Sequence, residues 1–199
     1  MLHLPKPFIL ASGSPRRAQL LRQVGLSYKI TVAEVDEEYN GREPITFAKE
    51  LSYKKARAVA LSTDYAILLA ADTIVVLENR ILGKPRDAAE AATMLADLSG
   101  KRHEVITGYT IYDRPSDYAV TDYELTQVWF RDLDRDEIEA YIASGSPFDK
   151  AGGYGIQDDF GAVFIKRIEG CYYNVVGLPL AKVYTDLKTY ILHPKIDNK

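Results

Sequence analysis

Cysteine is almost missing from this chain: Cys171 is the only one among 199 residues. That excludes an internal disulfide and a cysteine-based metal cluster, and it fits a reducing compartment. Histidine is scarce as well, and His3, His103 and His193 show no metal-ligand spacing. No one sign of charge dominates. With 25 basic and 28 acidic residues the formal net charge is -3, which gives no electrostatic case for bulk binding to nucleic acid or an anionic membrane. Any anion site must therefore be a local cluster of Lys and Arg. No apolar run is long enough to cross a bilayer, and the patch after Lys6 is shorter than a signal peptide requires, so a cytoplasmic location is expected. There is no Gly-x-Ser-x-Gly elbow, no Walker phosphate loop and no evident partner for Cys171, so covalent acyl or thiol chemistry is not indicated. Repeats, low-complexity segments and linkers are absent too. What remains is an ordinary globular composition, 47% hydrophobic and 27% charged, at a length that suits one core or two closely joined lobes.

The chain is organised around Leu10-Ala11-Ser12-Gly13-Ser14-Pro15-Arg16-Arg17. The apolar run Phe8–Ala11 reads as a short buried strand, and Pro15, with Leu20, Leu21 and Val24 behind it, opens a helix that Ser14 caps. Such a junction turns backbone N–H groups outward with the positive end of the helix dipole behind them, and the two arginines add bidentate donors. It is either an anion site, most simply for a polyphosphate, or an ordinary helix start with two solvated arginines.

Further on, Tyr28–Val32 reads as a strand and is followed by the acidic group Glu34, Asp36, Glu37 and Glu38. Pro44 opens a helix to about Leu61, with Phe47, Leu51, Ala58 and Leu61 as its apolar positions. Ala66–Leu77 is the strongest strand signal, Glu78-Asn79-Arg80 a turn, and an Ala-rich helix ends near Ser99-Gly100. Two β-rich runs between His103 and Arg131 flank a turn at Asp113–Asp117 and predict an antiparallel pair. Asp134–Ala143 reads as a helix and Gly145–Gln157 as a loop rich in glycine and charge. Ala162–Ile168 and Tyr172–Val176 read as strands on either side of a turn at Glu169-Gly170. Gly177-Leu178-Pro179-Leu180 opens a last helix, with a frayed tail from about residue 193. Helices alternating with strands early and antiparallel strands later predict a mixed α/β sheet in one domain of two lobes around a cleft.

Asp72 is the most informative position, because a carboxylate inside an apolar run needs a partner, a metal or a cleft. It is either a functional carboxylate, metal ligand or general base, or a turn residue in a hairpin. Lys84, between Gly83 and Pro85, is held on stiff backbone and could reach an anion, or it is a surface lysine. Lys55 is an anion ligand or one of several lysines on a solvated helix face. Glu37 is a second metal carboxylate or one member of a loop cluster. In Asp149-Lys150-Ala151-Gly152-Gly153-Tyr154-Gly155-Ile156-Gln157 the glycines permit close approach of a ligand, and Gln157 offers a donor and an acceptor to a base edge. The other reading of that stretch is a flexible linker.

Taken in order, Ser12–Arg17, Ala71-Asp72-Thr73, Gly83-Lys84-Pro85, Leu98-Ser99-Gly100, Asp149–Gln157 and Asn174-Val175-Val176-Gly177-Leu178-Pro179-Leu180 resemble the Maf family across nearly the whole chain. The resemblance implies a single Maf-like domain over residues 1–199 of the Maf/Ham1 (ITPase)-like α/β fold, an elongated bent mixed sheet flanked by helices. It implies a nucleoside triphosphate pyrophosphatase that uses Mg²⁺ or Mn²⁺, with a homodimer as the family's expectation. The Lys-Ala-Gly-x-Tyr-Gly-Ile-Gln loop and the Val-Val-Gly-Leu-Pro-Leu segment resemble the branch acting on dTTP and UTP. By position, Asp72 matches the proton acceptor. Arg16, Thr73 and Gln157 match base-selecting positions, and Ser12, Arg17, Glu37, Lys55, Lys84 and Lys150 match the polar pocket, with Asp72 and Glu37 toward the metal. The implied reaction is attack of water on the α-phosphorus with release of pyrophosphate, in a role of nucleotide-pool sanitation and division arrest. The alternatives are a 7-methyl-GTP pyrophosphatase of the same family and a non-catalytic nucleotide sensor that regulates division.

Overall fold

The structure is a computed structural model that describes residues 2–39, 41–157 and 160–192. The tail expected to fray from residue 193 lies outside the described residues. Seven strands form one mixed sheet among them: β1 (Phe8–Leu10), β2 (Lys29–Ile30), β3 (Ala66–Leu77), β4 (Arg80–Leu82), β5 (Arg102–Arg114), β6 (Ala119–Phe130) and β7 (Ile165–Glu169). Their order is β2-β1-β3-β5-β6-β7, with β4 paired to β3. The helices are α1 (Pro15–Gln23), α2 (Pro44–Ala60), α3 (Ala88–Leu98), α4 (Arg135–Ala143), α5 (Tyr172–Val176) and α6 (Leu180–Leu192). The chain divides into two compact units, one of Met1–Asp72, Thr107–Tyr123 and Gly177–Lys199, the other of Thr73–Ile106 and Glu124–Val176.

In the first unit β1 runs parallel to β2 and to the first half of β3, Phe8 to Leu10 pairing with Ile67 to Leu69. The expected helix start is there: Ser14 caps α1 by accepting from Arg17 N, and Pro15 takes the first position. Helix α2 starts on Pro44 with the Glu43 carboxylate accepting from Ile45 N and Thr46 N, a strong cap because the acceptor is charged and sits at the positive end of the helix. Its buried face is Phe47, Ala48, Leu51, Ser52, Ala56, Val59 and Ala60, so small residues do most of the packing, and Leu61 is 81% exposed. The core beneath it is Ala11, Ala56, Val59, Ala60, Ala66, Leu68, Ala70 and Tyr112.

In the second unit the far half of β3 pairs antiparallel with β4 through Glu78 and Asn79, both at positive φ, the conformation a two-residue hairpin turn needs. Val75, Leu77, Leu95, Leu98, Val128, Phe130, Tyr141 and Phe164 form its core with Tyr154. Helix α4 has a reciprocal capping box between Asp134 and Glu137.

Four expectations change. The strand at Tyr28–Val32 shortens to Lys29–Ile30, with Ile30 and Val32 left exposed. Ala162–Ile168 is a 3₁₀ turn, Phe160–Phe164, followed by β7; burial of Phe164 and the bond from Arg131 N to Phe164 O fix that turn before pairing begins. Tyr172–Val176 is a helical turn rather than a strand, because Asn174 Nδ2 is drawn inward to Val105 O and Thr126 Oγ1, both at 2.9 Å. The glycine-rich stretch is no flexible linker: Ser146–Asp149 and Ala151–Gly153 are 3₁₀ turns.

Candidate functional site

Asp72 sits in an unbroken strand of 12 residues, so the hairpin reading does not hold. Strand β1 ends at Leu10, and its register with β3 carried three residues further falls at Gly13. Asp72 therefore lies level with the Ser12–Ser14 turn, just past the carboxyl end of a parallel strand. Open parallel sheets place ligands at such ends, since the neighbouring backbone has turned away. The residue is 9% exposed.

Cations compensate that burial. Lys55, from α2, donates to Asp72 Oδ1 at 2.6 Å and lies 2.7 Å from Glu37 Oε1 on the loop after β2. Burial pushes the Asp72 carboxyl above its ordinary value, and the fields of Lys55 and Arg17 pull it part of the way back. Arg17 is held from two sides, Nη1 donating to Ser12 Oγ at 2.9 Å and Nε to Gly177 O at 2.8 Å. Burial lowers its pKa, and Asp72 works against that. Ser12 Oγ also accepts from Ser14 N at 3.3 Å, which closes the small-residue turn. The first unit thus brings Ser12, Arg17, Glu37, Lys55 and Asp72 into one polar group. Arg16, the neighbour of Arg17, is half-buried and adds positive charge that opposes Arg17.

The remaining predicted positions belong to the second unit. Thr73 is half-buried in β3. Lys84 is exposed on the segment after β4, and Gln157 is half-buried. The two loops that carry Lys84 and Lys150 are joined by a bond from Gly152 N to Gly83 O, 2.9 Å. Gly152 has φ +68°, and a Cβ there would lie 3.0–3.1 Å from Val75, so the loop turns against β3 where only glycine fits. Lys150 is buried, and its ammonium meets Ser146 O at 2.6 Å, Ser146 Oγ at 3.0 Å and Asp149 Oδ1 at 2.8 Å. It ties its own turn together.

One pair was missed in the sequence: His103 Nε2 and Tyr154 Oη, 2.7 Å apart in the second unit's core. The signal was His103 two residues before Val105, in the short stretch from Arg102 to Val105 where buried and less buried positions alternate.

Asp72 Oδ1 and Glu37 Oε1 converge on a single point, the Lys55 ammonium. Two hard carboxylate oxygens suit Mg²⁺ or Mn²⁺ when substrate phosphates complete the shell. Among the described residues no group of three or more His, Cys, Asp or Glu could hold a metal alone. The arrangement offers a buried carboxylate flanked by fixed cations, which suits attack on a polyanionic ester or anhydride.

Known proteins resemble this chain over most of its length. The chain is 48% identical over 181 residues to a dTTP/UTP pyrophosphatase of Carboxydothermus hydrogenoformans, covering 91% of this chain and 97% of the relative. It is 50% identical over 186 residues to a dTTP/UTP pyrophosphatase of Bacillus cereus, covering 93% and 90%. Among solved structures, a nucleoside-triphosphatase (dITP/XTP pyrophosphatase) of Mycobacterium abscessus aligns over 96% of this chain and 99% of its own, at a TM-score of 0.47 and 15% identity, a likeness too slight to bear on the site. The family described as Maf-like protein matches residues 7–190. With that match spanning nearly every described element, and relatives at about half identity over 90–97% of their length, the chain belongs to the Maf family.

Proposed function

We propose that this protein is a nucleoside triphosphate pyrophosphatase that converts dTTP and UTP to their monophosphates and pyrophosphate. The observation that carries the reading is Asp72, a buried carboxylate level with the Ser12–Ser14 turn and held against Lys55. The relatives' names support the substrate choice over 7-methyl-GTP.

In this reading a water oxygen bonds to the α-phosphorus, the bond to the bridging oxygen breaks, and pyrophosphate leaves. Asp72 accepts the water's proton, a role suited to a carboxyl whose pKa burial has raised. Arg17 and Lys55 offset charge on the leaving pyrophosphate beside Ser12, and Lys84 and Lys150 keep the substrate-binding roles that the family resemblance gives their positions. Arg16, Thr73 and Gln157 select the base. Asp72 and Glu37 are the oxygens that would hold a divalent cation, which when bound neutralises phosphate charge and sharpens the electrophile. A cytoplasmic location and a role in clearing unwanted pyrimidine nucleotides are part of the same proposal. A purely sensing protein would not need the buried carboxylate.

The test is a panel of standard, modified and 7-methylated triphosphates with Mg²⁺ or Mn²⁺, followed for pyrophosphate against orthophosphate. Pyrophosphate from dTTP and UTP is expected. Orthophosphate would move the cut to the terminal phosphate, and preference for 7-methyl-GTP would move the protein to the other branch. Thermal stabilisation by nucleotide without turnover would favour the sensor.

A further inference from the structure

The second unit contains a buried polar pair that the proposed chemistry does not use. His103 is 2% exposed and Tyr154 5%. Their rings and that of Phe130 meet edge to face in a closed triangle, with centroids 5.0 Å (His103–Phe130), 5.4 Å (His103–Tyr154) and 4.7 Å (Phe130–Tyr154) apart. Such a triangle could be built from phenylalanine alone at lower cost, because a polar atom in an apolar core must find a partner. Here one does not. His103 Nε2 and Tyr154 Oη are bonded at 2.7 Å, and whichever of them donates, the other ring nitrogen, Nδ1, has no partner among the described residues. Burial holds the imidazole neutral, its pKa pushed down to about 4. A pair that costs stability and is still present points to a requirement for one conformation.

What that conformation serves follows from where Tyr154 stands. Gly152 and Gly153, both at positive φ, precede it, and Gln157 follows three residues later. The backbone upstream is pinned at Gly152 by the bond to Gly83 O. Two successive glycines at φ +68° and +72° form a joint that many backbone directions could leave. The hydroxyl of Tyr154 is the first polar anchor after that joint, and His103 is what it is anchored to.

We propose that His103 is a positioning residue: its bond to Tyr154 sets the path of the Tyr154–Gln157 segment so that Gln157 meets the nucleotide base. The inference rests on the pyrophosphatase reading. Its test uses the full-length protein. Tyr154→Phe keeps the ring and its packing and removes the bond, His103→Leu removes it from the other side, and His103→Gln keeps a polar atom near the Nε2 position. Kinetics with dTTP and dCTP are measured beside amide exchange. Tyr154→Phe is expected to raise KM for dTTP by about three- to tenfold, the factor one net hydrogen bond supplies. It should change kcat less, narrow the preference for dTTP over dCTP, and speed exchange within residues 152–157 only. His103→Gln should stay closer to wild type than His103→Leu in both base preference and exchange. Unchanged KM and base preference in Tyr154→Phe, with the wild type active, would overturn the positioning role, as would a uniform loss of activity on both nucleotides with unchanged exchange. Wild-type protein that releases no pyrophosphate would instead overturn the reading on which the inference rests.

Discussion

Lys55 Nζ stands 2.6 Å from Asp72 Oδ1 and 2.7 Å from Glu37 Oε1, so one helical ammonium ties a strand carboxylate to a loop carboxylate. The arrangement is electrostatically uneven. Burial outweighs the attraction of Lys55 and Arg17 at Asp72, and the carboxyl's pKa is raised.

An acid whose folded-state pKa lies above its unfolded one keeps its proton longer in the fold, so its ionisation at neutral pH opposes folding. Asp72→Asn is therefore expected to lose activity by about a hundredfold or more, the low end of a proton acceptor's contribution, while its melting temperature stays level or rises. Calorimetry and steady-state kinetics on the same preparation check both halves. A clear fall in melting temperature would show that Asp72 is held for stability.

The loop glycines make a second expectation. Gly152→Ala puts a Cβ at 3.0–3.1 Å from Val75 at a φ of +68°. Overpacking and left-handed backbone together are expected to cost about 2 kcal/mol or more, read by urea unfolding. KM should rise as well, because Gly152 N would pull away from Gly83 O.

Gly108 has a different reason to be glycine. A Cβ there would lie 2.3 Å from the Ala48 carbonyl oxygen in α2, an approach that neither backbone can relieve alone. Gly108→Ala is expected to destabilise by more than about 3 kcal/mol or to prevent folding. Gly83, whose Cβ would meet nothing within 4 Å, is the control: Gly83→Ala should stay within about 0.5 kcal/mol of wild type.

His103 sets a pH dependence of stability. Its folded pKa is about 4, against an ordinary value of 6.5. Between those values the unfolded chain takes up a proton that the folded chain refuses, so stability falls as pH drops from 6.5 toward about 4 and flattens below. At about 1.4 kcal/mol per pH unit the full interval amounts to about 3.5 kcal/mol. Urea unfolding at pH 7 and pH 5, which crosses the upper part of that interval, should show a fall of about 2 kcal/mol from this source in the wild type and lack that share in His103→Gln.

The sequence carried its local signals well. Ser14-Pro15 and Pro44 start helices because their backbone preferences decide the matter without tertiary help. Asp72 stood out because an apolar strand advertises the cost of a carboxylate. Tyr172–Val176 misled because aromatic and β-branched residues favour strands, whereas the fold needs Asn174 to turn inward toward Val105 and Thr126, distant in sequence. The pairing of Lys55 with both Asp72 and Glu37, and of His103 with Tyr154, depends on chain segments that only folding brings together. The partners of Lys150, Ser146 and Asp149, lie in a turn whose 3₁₀ form the glycine-rich composition did not reveal.

The most direct measurement of the central claim is hydrolysis of dTTP in ¹⁸O-labelled water with Mg²⁺ or Mn²⁺, the products being weighed by mass spectrometry. Attack at the α-phosphorus puts the label in thymidine monophosphate and leaves pyrophosphate unlabelled, and Asp72→Asn should slow the appearance of labelled monophosphate by about the same hundredfold or more. Label in pyrophosphate, or in orthophosphate, would place the attack on another phosphorus and contradict the account.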